Sequence, residues 1–197
     1  MFTNNYIAYR HNLFFGFSGS TSTNYGGTTV SSKKMTNPVG SSVTFYIDND
    51  IDDYFDIGGN MRARISNPME GLATTYSSVK GGVYFGSGTT PATREDYNLE
   101  TVISRGLNAV DGIGFFKDDG NGKYSFYRDF VLTNTTEESI TVSEIGCFVP
   151  IRTNSGSSGV QLWPILMERT VLSEPVVIQP GESKLITYKL TFNQVEA

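Results

Sequence analysis

From Val79 to Phe192 the chain alternates strand-length β-type runs with turn residues, and this pattern constrains the fold more than any other feature. The last runs are the easiest to orient. Val176, Val177 and Ile178 lead into Pro180-Gly181, and Ser183 to Phe192 then alternates. Ile186, Tyr188, Leu190 and Phe192 fall on one face, with Thr187, Lys189 and Thr191 on the other. A period of two marks a strand with one buried face. Upstream, Asp118-Asp119-Gly120-Asn121-Gly122 separates Gly112 to Lys117 from Lys123 to Thr133. Its Asn-Gly supplies the positive φ values of a type I′ hairpin turn. Ile140 to Ile151 reads as a long strand, and Val79 to Phe85 and Tyr97 to Ser104 as shorter ones. Gln161 to Leu172 reads as two short strands parted at Trp163-Pro164. Runs at this spacing predict an all-β fold, an antiparallel β-sandwich of jelly-roll or immunoglobulin-like type.

The first 78 residues are less regular. Asn5 to Phe17 is rich in aromatics (Tyr6, Tyr9, Phe14, Phe15, Phe17) and reads as a strand or as an anchor against another surface. Ser18 to Ser42 is mostly Ser, Thr, Gly and Asn. Such a stretch buries too little apolar area to offset its ordering entropy, and it is expected to need a neighbouring subunit. Val43 to Ile47 and Met61 to Ile65 read as short strands. Residues 1–78 are therefore expected to form an N-terminal strand, an extended arm and an irregular extension of one domain, with residues 79–197 as the sandwich core.

Composition narrows the function. The net charge of −5 and the scattered Lys and Arg residues argue against a nucleic-acid partner, which requires a basic surface. The longest apolar runs fall far short of the roughly 20 residues of a membrane helix, and the N-terminus lacks the apolar core of a signal peptide. A soluble chain made in the cytoplasm is the expectation. The single cysteine, Cys147, forms no intramolecular disulfide.

Chemistry has few footholds. His11 is the only histidine and lies far in sequence from Cys147, so a nucleophile–histidine device would have to run through it. It reads better as a surface or interface residue, and Cys147 as a small core residue. Asp48, Asp50 and Asp52 match the first oxygen positions of a calcium loop, but Gly59 stands where the closing Glu belongs. Asp118 to Gly122 likewise lacks a closing Glu. Glu137-Glu138 reads as solvated turn charge. Gly86-Ser87-Gly88 and Gly112-Ile113-Gly114 lack the following helix that phosphate binding uses. Asn134-Thr135-Thr136 fits a glycosylation sequon. Trp163 and the tyrosines offer a sugar-stacking platform, though aromatics in a β protein are more often core or interface. No catalytic, cofactor or metal residue is assigned, and no enzyme activity is expected.

The order of segments carries a resemblance. Gly86-Ser87-Gly88-Thr89-Thr90-Pro91 leads to Asp96-Tyr97-Asn98-Leu99-Glu100, then to Phe130-Val131-Leu132-Thr133-Asn134-Thr135. Ile140-Thr141-Val142-Ser143-Glu144-Ile145-Gly146 and the run from Arg169-Thr170-Val171-Leu172 to Gln179-Pro180-Gly181-Glu182 complete it. Taken together, these resemble small β-sandwich virion proteins of tailed bacteriophages. The resemblance implies a structural part of the tail, neck or collar, or capsid decoration, made in the host bacterium and located in the virion. Its implied partners are further copies of itself and other virion proteins. The alternative is a β-sandwich module that binds a glycan or host receptor.

Overall fold

A computed structural model describes residues 1–14, 22–25, 28–31, 34–45, 63–65, 81–154 and 160–193. These residues are predominantly β, with one helix, α1 (Asn4–Phe14). Strands β1 (Ser22–Tyr25) and β2 (Thr28–Ser31) form a separate two-stranded sheet. The largest sheet has six strands: β3 (Met35–Thr36), β4 (Ser42–Phe45), β5 (Ala63–Arg64), β6 (Gly82–Gly86), β9 (Ile140–Asn154) and β10 (Val160–Ile178). In it β9 is central. One edge of β9 pairs with β10, and the other pairs with β6 along its middle and with β4 at its end. The pair β5–β6 is parallel. The third sheet is antiparallel in the order β11-β8-β7, from β7 (Leu107–Gly120), β8 (Lys123–Asn134) and β11 (Ser183–Asn193).

One apolar core joins the two larger sheets. Val83 and Phe85 of β6 with Ile145 and Cys147 of β9 meet Phe130 and Leu132 of β8 and Ile186, Tyr188 and Leu190 of β11. The alternation on the last strand therefore orients it as the sequence predicts: Ile186, Tyr188 and Leu190 are buried and Leu185 is exposed. The side chain of Phe192 lies outside the described residues. The β7–β8 turn also follows its sequence, with Asn121 and Gly122 both at positive φ (52° and 69°).

Four readings change. The N-terminal aromatic segment is helical where it is described, because Thr3 caps it. Thr3 Oγ1 accepts the Tyr6 N–H (3.4 Å), the third amide of the first turn. The helix buries Asn5, Ala8 and Tyr9, an i, i+3, i+4 face. Ala8 and Tyr9 pack on Met35, Val43, Ile151, Ile165 and Met167. Asn5 completes the edge of β3, donating from Nδ2 to Thr36 O (2.8 Å) and accepting Thr36 N–H at Oδ1 (2.6 Å). The end of the Ser/Thr-rich arm is thus held by its own chain; residues 18–21, 26–27 and 32–33 of it lie outside the described residues.

The second change is β10, a single long strand running through Pro164. That proline sits opposite Pro150 of β9. Pro150 falls between the last pair with β6 (Gly82↔Phe148) and the first with β4 (Phe45↔Thr153), so its missing N–H interrupts neither ladder. The third change follows from the second: Val176 to Ile178 is the end of β10, not a separate strand. The fourth is the segment from Tyr97 to Ser104, which is a loop touching β6 through one bridge, Gly86↔Val102. The Ile103 N–H donates to Phe85 O of β6 (2.9 Å), while the amides of Glu100 and Thr101 are claimed by a buried carboxylate.

Candidate functional site: a buried carboxylate clamp

That carboxylate is Glu144 of β9, wholly buried. Oε1 accepts the N–H of Gly88 (3.0 Å) and Thr101 (2.8 Å), and Oε2 accepts that of Glu100 (3.1 Å). Arg169 of β10 supplies the countercharge. Its Nε donates to Glu144 Oε2 (2.8 Å) and its Nη1 to Asp96 Oδ2 (2.8 Å), while Nη2 stands 3.6 Å from Glu100 Oε2. Asp96 and Glu100 are fixed in turn by the loop that they close. Asp96 accepts the Thr93 N–H and hydroxyl, and Glu100 accepts the amides of Thr89 and Thr90 with the Thr90 hydroxyl. Four charged groups therefore stitch residues 86–104 to the face of the large sheet that looks away from the main core. Tyr84, Leu99, Phe148 and Leu166 form a small apolar cluster beside them.

The glycines of the Gly-Ser-Gly motif follow from this arrangement. A Cβ on Gly86 would lie 2.4 Å from Glu144 Oε1 and 2.6 Å from the Thr101 carbonyl, and one on Gly88 2.6 Å from the same Oε1. The motif makes room for a side chain of the same protein.

The electrostatics agree with the geometry. Burial works against an ionised Asp96, but the bonds from Arg169 and Thr93 outweigh it and hold that carboxyl below its ordinary value. The Thr90 amide and hydroxyl hold Glu100 low as well. Burial likewise opposes the Arg169 charge, and Asp96 with Glu144 more than restores it.

A second buried polar group lies one residue earlier on β10. The pairing of β10 with β9 slips at Met167, between Leu166↔Phe148 and Glu168↔Cys147. This bulge turns Glu168 to the main core and Arg169 to the loop. Glu168 accepts the Tyr188 hydroxyl and, at Oε1, the Met1 ammonium (2.6 Å). Burial, then Glu168, drives the Tyr188 hydroxyl well above its ordinary value. The same two causes push the Cys147 thiol up to about 12, so it is not a poised nucleophile.

The structure brings few of the other sequence candidates together. His11 lies in α1, with its side chain outside the described residues. Asp48, Asp50, Asp52 and Gly59 are also outside them. In the β7–β8 turn, Asp118 accepts the Gly120 N–H (2.8 Å). Asp119 is bonded by the Ser125 hydroxyl and lies 3.4 Å from Lys117 and 3.6 Å from Lys189. Among the described residues no cluster of three or more His, Cys, Asp or Glu side chains is placed to hold a metal. Glu137 and Glu138 are exposed turn residues. Asn134 is 1% exposed and spends its amide on the Glu138 and Ile178 carbonyls, so the sequon works as a turn. Trp163 is partly buried against the cluster beneath α1. Among the described residues, exposed aromatics lie on β7, at Phe115 and Phe116, and in the loop at Tyr97. Among the described residues no helix is long and apolar enough to cross a membrane. No family model, curated protein or solved structure matches the chain.

Proposed function

We propose that this chain is a non-enzymatic structural subunit of a tailed-bacteriophage virion, in the tail, neck or collar, or capsid decoration, built as a β-sandwich and acting through contacts with copies of itself and other virion proteins. The observation that carries the reading is the use made of the segments behind the resemblance. Gly86, Gly88, Asp96, Glu100, Glu144 and Arg169 belong to those segments, and all of them serve to fasten one loop to one sheet. Chemistry-bearing residues committed to rigidity suit a part that transmits load between neighbours. The shared core of the six- and three-stranded sheets supports the sandwich architecture.

A mass-spectrometric inventory of purified particles from the source tests it. The chain should be present at a fixed stoichiometric ratio to the other particle proteins, and its absence from particles would refute the proposal. Exposed Phe115 and Phe116 favour one second reading, a glycan- or receptor-binding module, because aromatic faces stack on sugar rings. Glycan binding by the isolated chain, lost on substituting those two residues, would select that reading instead.

A further inference from the structure

One edge of the three-stranded sheet carries exposed apolar side chains. Strand β7 pairs with β8 alone; near its start Asp111 accepts the Ala63 N–H of β5 (2.7 Å), and among the described residues no strand pairs with its outer edge. Along it Ile113 is 79% exposed, Phe116 64% and Phe115 47%. Phe115 and Phe116 thus leave apolar surface open on opposite faces of this edge, beside exposed Ile113.

The aromatics are already arranged in rows across the sheet. On the outer face Lys189 of β11 lies over the Tyr127 ring (5.1 Å), and Phe115 stacks on its other side (4.8 Å). On the face toward the core, Tyr124 stacks on Phe116 (5.6 Å). Both rows stop at the β7 edge.

We propose that this edge pairs with the same edge of a second copy, antiparallel, about a two-fold axis through Phe116. This deepens the reading of the chain as an assembling subunit by naming one contact. Several constraints select the register. A two-fold axis perpendicular to a sheet keeps each face on its own side, so opposed residues must share a face and the axis must pass through a residue, not between two. The β7–β8 ladder is uninterrupted only from Gly114 to Asp118, between two register shifts. Within that window, an axis at Lys117 sets Lys117 against itself. One at Phe115 sets Lys117 against Ile113, inside the bulge. An axis at Phe116 opposes Phe116 to Phe116, Phe115 to Lys117 and Gly114 to Asp118. No like charges meet, each Phe115 ring gains a cation on its open side, and the Tyr124–Phe116 rows join end to end. Pairing also satisfies the exposed backbone edge, which is otherwise a liability.

The test uses the full-length chain. Sedimentation velocity from about 1 to about 100 µM spans the range expected for an interface of this modest size. The wild type should dimerise, and Phe116→Lys, which places two cations on the axis, should raise the dissociation constant at least about tenfold with an unchanged circular dichroism spectrum. Phe116→Cys should form an oxidative dimer in high yield. Leu185→Cys, exposed on the opposite edge strand, should not, and buried Cys147 adds no background. A wild type that stays monomeric throughout overturns the contact. So does association that Phe116→Lys leaves unchanged, although that result leaves the subunit reading standing; absence from particles would remove the virion reading without touching the dimer.

Discussion

Replacing Arg169 with leucine would strip the clamp of its only cation. The substitution removes two short charge-assisted bonds, Nε to Glu144 and Nη1 to Asp96, each 2.8 Å. It leaves the Glu144 carboxylate wholly buried without a countercharge. Removing one partner of a buried pair costs about 3–5 kcal/mol. Three backbone amides still solvate Glu144, at 2.8 to 3.1 Å, which places the loss near the lower end, about 3 kcal/mol. Against a total of roughly 5–15 kcal/mol this is a large fraction. With a urea slope of about 2 kcal/mol per molar, the unfolding midpoint should fall by about 1.5 M. Glu144→Gln removes the other charge, and in the double variant the two losses should fall short of additivity by more than about 1 kcal/mol. The pH profile gives an independent reading. The folded-state value of Asp96 is lowered, so its contribution is present above the ordinary carboxylate value and is lost as pH falls through the lower folded value. Arg169→Leu should shrink that acid-dependent part of the stability. A midpoint within the equivalent of about 0.5 kcal/mol of wild type, or strictly additive losses, would refute the clamp as a stabilising unit.

Three further outcomes are expected. Gly86→Ala should lower stability by about 2–3 kcal/mol in chemical denaturation, because its methyl would displace both Glu144 and the Thr101 carbonyl; an unchanged midpoint would show that the loop yields freely. Tyr188→Asp should leave no folded protein by near-ultraviolet circular dichroism, since it puts a second carboxylate beside Glu168 inside the core, and a native spectrum would contradict the packing around β11. The thiol of Cys147 should react with a disulfide reagent at pH 8 only after denaturant is added, and prompt reaction in buffer would count against its burial and its value of about 12.

What the sequence determined by itself was local. Alternation from Ser183 onward orients β11, because a period of two leaves one assignment of faces once one face is buried. Asn121-Gly122 sets the β7–β8 turn, because few residue pairs tolerate two positive φ values in succession. The aromatic run from Asn5 reads from sequence as a strand or an anchor, and α1 is recognisable only once Met35, Val43 and Ile165 cover its buried face. Tertiary structure alone decided the clamp. Asp96, Glu100, Glu144 and Arg169 are spread over 73 residues, and no spacing rule brings a strand carboxylate to the amides of a distant loop. The loop from residue 86 to 104 keeps only one bridge to β6, and the amides of Gly88, Glu100 and Thr101 take Glu144 as their acceptor. The bulge at Met167 decides which of two adjacent charges faces the core. Reading Glu168 and Arg169 without it would exchange their faces, and with them the partners of both charges, since a slip of one residue reverses every side chain beyond it.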